Sequence, residues 1–197
     1  MDRFDYRSID TFKKDIYFTT QLEKYFFNKW LEICEPLDYI HVGNPRDNGV
    51  NNDGEFIASG NTSGADYLVD INYHSLEITD MPIEVKWVPT FGKFTLKVGD
   101  LRAYIRENAA ILFIYPSKMT INLRKPKDYD LTKHLQRIES ISQILKWSLM
   151  SPDQVKHFLE YAEEHSKIEK IPYMGYKPGI ILHQDKFKNW FTEEKWL

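Results

Sequence analysis

Three residues carry the chemistry this sequence could support: Asp66, Glu84 and Lys86. The last two stand in Ile83-Glu84-Val85-Lys86-Trp87, where acid and base alternate with apolar residues. Strand side chains have a period of two, so Glu84 and Lys86 share one face while Ile83, Val85 and Trp87 share the other. Asp66 follows the small-residue turn Ser63-Gly64-Ala65 and opens Tyr67-Leu68-Val69-Asp70, in which Asp66, Leu68 and Asp70 share a face by the same rule. Antiparallel pairing about a turn near Asn72–Ser75 brings Asp66 beside Glu84. Carboxylates that close repel each other, and a hard, oxygen-seeking cation such as Mg²⁺ relieves the conflict. The plainer alternative is a solvated hairpin with a Glu84–Lys86 ion pair. Asp70, two residues along the same face, is the other acid able to stand in for Asp66.

The elements around this pair must position it. Residues 10–34 read as a helix, with a break at Thr19-Thr20 and an end marked by Pro36. On a helical wheel Ile16, Phe26, Phe27 and Trp30 fall within roughly 60° of Glu23, which puts an acid inside the apolar stripe. An unpaired carboxylate is costly there, so Glu23 either bridges to a core Lys or Tyr or serves a site. Residues 37–42 read as a first strand. The stretch 43–64, rich in Gly, Asn and Asp, reads as a long loop over a groove, with a short strand at 55–58. Its Asn51-Asn52-Asp53-Gly54 fails as an EF-hand, because Gly49 and Gly60 occupy the first and twelfth positions. Lys93–Lys97 alternates like a strand. A helix follows to about Asn108, with Asp100 as its N-cap, and then comes the continuous apolar run of a strand buried on both faces, Ala109–Pro116. This order is βαβ in character and gathers Lys86, Lys97, Arg102 and Arg106 near one end of the sheet. Such a local excess of positive charge in an acidic protein suits a phosphate backbone, although a solvated helix face would look the same.

Beyond residue 116 the pattern predicts a helix over 131–149. A second helix starts at Ser151-Pro152-Asp153-Gln154 and runs to about Lys167. A turn at Lys177–Gly179, a strand at 180–183 and a closing aromatic helix with Phe187, Trp190, Phe191 and Trp196 complete the chain.

Composition narrows the class. At 197 residues, 42% apolar and 28% charged, the chain fits one globular domain. A net charge of −3 excludes a uniformly basic coat, so any nucleic-acid site must be local. The single cysteine, Cys34, lies in an apolar helical pattern, which fits a core residue in a reducing compartment. No apolar run reaches membrane-spanning length, and a cytoplasmic location is expected. The six histidines show no metal-ligand spacing, and no phosphate-binding glycine loop or serine nucleophile elbow is present.

Asp66 followed by Glu84-x-Lys86 on consecutive strands, after a helix bearing Glu23, resembles the PD-(D/E)XK nuclease superfamily, with Ala65 where that family carries Pro. The resemblance covers roughly Thr19 to Pro116. It implies an α/β, restriction endonuclease-like core: a central mixed β-sheet flanked by helices over residues 1–116, with 117–197 a mostly helical extension packed on it. By the resemblance, Asp66, Glu84 and the Val85 carbonyl hold Mg²⁺ or Mn²⁺. Lys86 orients a water and offsets developing charge, and Glu23 serves a second ion or a bound water. The implied partner is DNA, met by Lys93, Lys97, Arg102 and Arg106. The implied activity is an endodeoxyribonuclease of restriction or phage type leaving 5′-phosphate ends. A structure-selective Holliday-junction resolvase and a non-catalytic binder on the same fold are the alternatives. The extension would support the core, form a homodimer or read sequence. Where related nucleases carry Gln-x-x-x-Tyr on the following helix, this chain has Asp100-x-x-x-Tyr104.

Overall fold

The computed structural model describes residues 8–48, 64–73, 76–89, 93–117, 123–124, 126–172, 175–183 and 194–195. Its first half contains α1 (Ile9–Cys34), β1 (Ile40–Asp47), β2 (Tyr67–Tyr73), β3 (Leu76–Trp87), β4 (Lys93–Lys97), α2 (Val98–Glu107) and β5 (Ala110–Pro116). The second half contains α3 (Leu131–Glu139), β6 (Leu145–Met150), α4 (Pro152–Glu164), β7 (Ile168–Ile171), β8 (Lys177–His183) and β9 (Glu194–Lys195).

Ser8 opens α1 by accepting a hydrogen bond from the Thr11 N–H at 3.1 Å. The helix then runs without the break expected at Thr19-Thr20. Phe18, Leu22, Phe26, Trp30 and Ile33 form one buried stripe along it, and packing of that stripe outweighs the weak helix propensity of two threonines.

The main sheet has the order β1-β2-β3-β5-β6-β9. It is mixed: β3 and β5 run parallel, and the other neighbours are antiparallel. Alternation along β5 shows how both faces are covered. Ala110, Leu112 and Ile114 join one core with Phe26 and Trp30 of α1 and Ile138 of α3. Ile111, Phe113 and Tyr115 join the other with Leu101 and Tyr104 of α2 and Val155 and Phe158 of α4. The protein is thus an α/β structure with a helical layer on each face of the sheet. A second, antiparallel sheet, β4-β8-β7, packs into the α2–α4 side. At Gly179 of β8 a Cβ would lie 2.7 Å from Ile171 Cγ1 and 3.0 Å from Thr95 Cγ2, so side chains of the flanking strands fill the space a side chain there would need.

The segment after residue 116 differs most from expectation. The helix predicted over 131–149 ends at Glu139; a 3-10 turn at Ser142–Ile144 leads into β6. Leu145, Trp147 and Leu149 alternate into the α1-side core, and β6 takes the open edge of β5. Among the described residues, the segment after 116 is therefore not a mostly helical appendage: it supplies β6 and β9 of the main sheet and a covering helix on each face, α3 and α4. Lys177–Gly179 is strand rather than turn, the reversal falling at Gly175 and Tyr176, both at positive φ. Helix α2 begins at Val98, leaving Lys97 as N-cap and Asp100 in the first turn. The start of α4 is as expected: Ser151 and Gln154 exchange both capping-box hydrogen bonds, with Pro152 in the first turn. The strand expected at 55–58 and the aromatic helix carrying Phe187, Trp190, Phe191 and Trp196 lie outside the described residues. Among the described residues no helix is long and apolar enough to cross a membrane.

Candidate active site

In the β2–β3 hairpin Tyr67 pairs with Ile83 and Leu68 with Pro82, so Asp66, one residue ahead of β2, falls level with Glu84. Because β2 begins only at Tyr67, Val85 has no ladder partner on that edge. The Asp66 side chain supplies one: its Oδ2 accepts the Val85 N–H at 2.9 Å. The N–H and C=O of a strand residue point to the same edge, so the Val85 carbonyl is directed toward the same opening. Ile83 and Val85 go to the α1-side core, and Glu84 and Lys86 project toward α2. Glu84 is only 6% exposed. Lys86 Nζ donates to Glu84 Oε1 and lies 5.9 Å from the centre of the Tyr104 ring, whose hydroxyl also hydrogen-bonds Glu84.

Asp70 does not compete for this place. A bulge between Val69 and Ile71 carries it away. There it accepts from the Asp80 N–H at 3.0 Å and from the Asn44 side-chain amide, beside an Arg46–Asp80 ion pair.

Glu23 reaches the cluster through aromatic stacking. Phe27 stacks on Tyr67 with ring centres 3.8 Å apart, and Phe26 stacks on Trp87 at 4.4 Å. Those partners are the chain neighbours of Asp66 and Lys86, and Glu23 lies one helical turn before Phe26 and Phe27, on the same face of α1. The charges of Asp66, Lys86 and Glu84 all act on it.

Three carboxyls thus crowd one ammonium. Burial, then the charge of Asp66, lifts the Glu23 carboxyl well above the usual carboxylate range. Burial and the Glu84 charge push Asp66 up to about 7, against the opposing pull of Lys86 and the Val85 N–H. For Lys86, burial lowers the pKa, but Glu84, Tyr104, Glu23 and Asp66 outweigh it, and the ammonium is held protonated well above its ordinary range. Burial raises Tyr104 too, so its hydroxyl stays a neutral donor.

The donor set fits a hard divalent cation: oxygen ligands only, in negative excess, with the excess expressed as raised carboxyl pKa values. It is a set of convergent charges rather than a finished cage, since among the described residues no group of three His, Cys, Asp or Glu side chains stands ready to hold a metal ion. Asp66 Oδ2 is turned to Val85 and Glu84 Oε1 to Lys86.

The four cations expected to line a nucleic-acid groove do not join this cluster. Arg102 and Arg106 stand about 160° from Tyr104 around α2, on the side away from Glu84 and Lys86. Arg102 pairs with Glu163 of α4 at 3.0 Å. Lys97 pairs with Asp100 at 3.6 Å. Lys93 lies opposite His183 in the small sheet and, with Tyr161, Lys167 and His183, lines a cavity of about 730 Å³ that none of the four clustered side chains enters. Helical spacing alone put the two arginines on one face; it could not tell which face meets the site. Conversely, the hydrogen bond of Tyr104 to Glu84 had only the position of that tyrosine on the following helix as its signal. No protein-family model, curated protein or solved structure matches the chain.

Proposed function

We propose that this chain is a metal-dependent endodeoxyribonuclease with a restriction endonuclease-like core. The observation that carries the reading is the convergence of Asp66, Glu84 and Lys86 at the open end of the β2–β3 pair, with Glu23 brought in from α1. The mixed sheet covered by helices on both faces is the scaffold such a core requires.

Asp66, Glu84 and the Val85 carbonyl would hold Mg²⁺ or Mn²⁺, and Glu23 a second ion or its surrounding water. When bound, the ion polarises the scissile phosphate and makes a water more acidic. Asp66 must first give up its proton, since a carboxyl ligates as the anion. Lys86 cannot serve as a base while it is held protonated. It donates instead, orienting the attacking water and offsetting charge on the phosphoryl oxygens. Glu84 and Tyr104 keep the ammonium at that point. The water oxygen forms a bond to phosphorus and the bond from phosphorus to the 3′ oxygen breaks. One water proton passes to solvent and the 3′ oxygen takes up another, leaving 3′-hydroxyl and 5′-phosphate ends.

The test is cleavage of plasmid, linear duplex, single-stranded and four-way-junction DNA, with Mg²⁺ or with chelator, by wild type, Glu84→Ala and Lys86→Ala. Scission should require the ion and vanish in both variants while DNA binding survives. Equal cleavage by the variants would remove these residues from the mechanism. A junction cut in preference to plain duplex would make the enzyme a resolvase, and DNA binding without cutting by wild type would make it a non-catalytic binder.

A further inference from the structure

The backbone that delivers Asp66 is held by two side chains outside the charge cluster. Ala65 is fully buried, and both polar atoms of its backbone end on side chains rather than on a strand. Its N–H donates to Glu107 Oε2 at 3.0 Å, and its carbonyl accepts from Asn48 Nδ2 at 3.0 Å. Asn48 also donates its own N–H to the Asp66 carbonyl at 3.0 Å. Buried backbone groups need partners. Here both partners come from distant parts of the chain, the end of β1 and the last turn of α2.

The place of Glu107 is informative. A carboxylate in the last turn of a helix opposes the helix dipole, so helix stability does not explain it. The bond to the Ala65 N–H does. Asn48 is likewise a residue whose amide can donate to a carbonyl, which Asp at that position could not do.

We propose that Asn48 and Glu107 are positioning residues for Asp66. They fix the backbone at residues 65 and 66, and with it the direction in which the Asp66 carboxylate meets Val85 and Glu84. Tilting that side chain by roughly 20° at Cα would move its oxygens by about 1 Å, enough to spoil a reacting geometry. The inference rests on reading the cluster as an ion site.

The test is calorimetric titration of the full chain with Mn²⁺, alongside its melting temperature, for wild type, Glu107→Ala, Glu107→Gln, Asn48→Ala and Ser151→Ala. Glu107→Ala and Asn48→Ala should weaken Mn²⁺ binding about 10-fold or more, the range found when outer partners of metal ligands are lost. Glu107→Gln keeps an oxygen that can accept the Ala65 N–H and should stay within about 3-fold of wild type. Ser151→Ala removes the cap of α4 and should lower the melting temperature while leaving Mn²⁺ affinity unchanged. The inference is overturned if Glu107→Ala binds Mn²⁺ like wild type. It is overturned equally if Glu107→Gln loses as much as Glu107→Ala, which would mean charge rather than hydrogen bonding, or if Ser151→Ala loses as much, which would mean general destabilisation. Wild type that binds no Mn²⁺ would sink the ion-site reading and this inference with it, whereas binding by wild type and variants alike would sink this inference alone.

Discussion

Replacing Asp66 with Asn should make the ion-free protein more stable, although it removes a group assigned to the chemistry. The substitution preserves shape and leaves an amide oxygen to accept the Val85 N–H, so what changes is the charge. In the folded chain this carboxyl is raised from an ordinary 3.8 to about 7. At low pH the folded and unfolded chains both hold the proton. As pH rises through the window between those two values only the folded chain holds it, so folding loses about 1.4 kcal/mol per pH unit, and the loss is complete above about 7. Roughly three units give a ceiling on the order of 4 kcal/mol. Water at the partly exposed edge of Asp66 screens part of that, and a gain of about 2 kcal/mol at pH 8 is expected for Asp66→Asn. At pH 5 the gain should shrink to under about 1 kcal/mol, because the wild-type carboxyl is then protonated in the fold. Urea denaturation of both proteins in chelator at the two pH values measures the difference directly. Millimolar Mn²⁺ should then raise the melting temperature of wild type but not of Asp66→Asn. An Asn variant no more stable at pH 8, with a gap that does not change with pH, would refute the picture of Asp66 as a buried acid repelled by Glu84.

Three further outcomes test other parts of the structure. Cleavage at subsaturating Mg²⁺ should rise with pH until about 7, where Asp66 becomes ionised, and a flat profile from pH 5 to 8 would exclude that carboxyl as the controlling group. Gly179→Ala should lower stability by about 1–3 kcal/mol in thermal melts, because the new Cβ meets Ile171 at 2.7 Å and the Leu96 carbonyl at 3.2 Å. An unchanged melting temperature would mean that the Ile171 and Thr95 side chains give way to the added methyl. Phe26→Leu breaks the stack on Trp87 and should lower cleavage by about 10-fold by displacing Glu23, whereas Phe18→Leu, which perturbs an edge contact with Tyr129, should lower stability and spare activity. Similar losses of activity in both would separate the Phe26 stack from the site.

The residues of the cluster were legible in the sequence wherever the cause is local. Period two puts Glu84 and Lys86 on one face in any strand. Helical period puts Glu23 on the apolar stripe of α1, and the Ser151–Gln154 box marks the start of α4. These features follow from geometry within a few residues. Other matters were decided by tertiary contacts. Whether Glu23 meets Asp66 depends on Phe26 and Phe27 stacking against strand residues forty or more positions away. Residues 145–149 carry apolar side chains that a helix continuing from 131 could also have buried, and the open edge of β5 makes them a strand. The arginines of α2 share a face by spacing alone, but only packing against α4 gives Arg102 to Glu163. Local periodicity specifies which side chains travel together; which partner they meet depends on contacts whose chain separation no short pattern encodes.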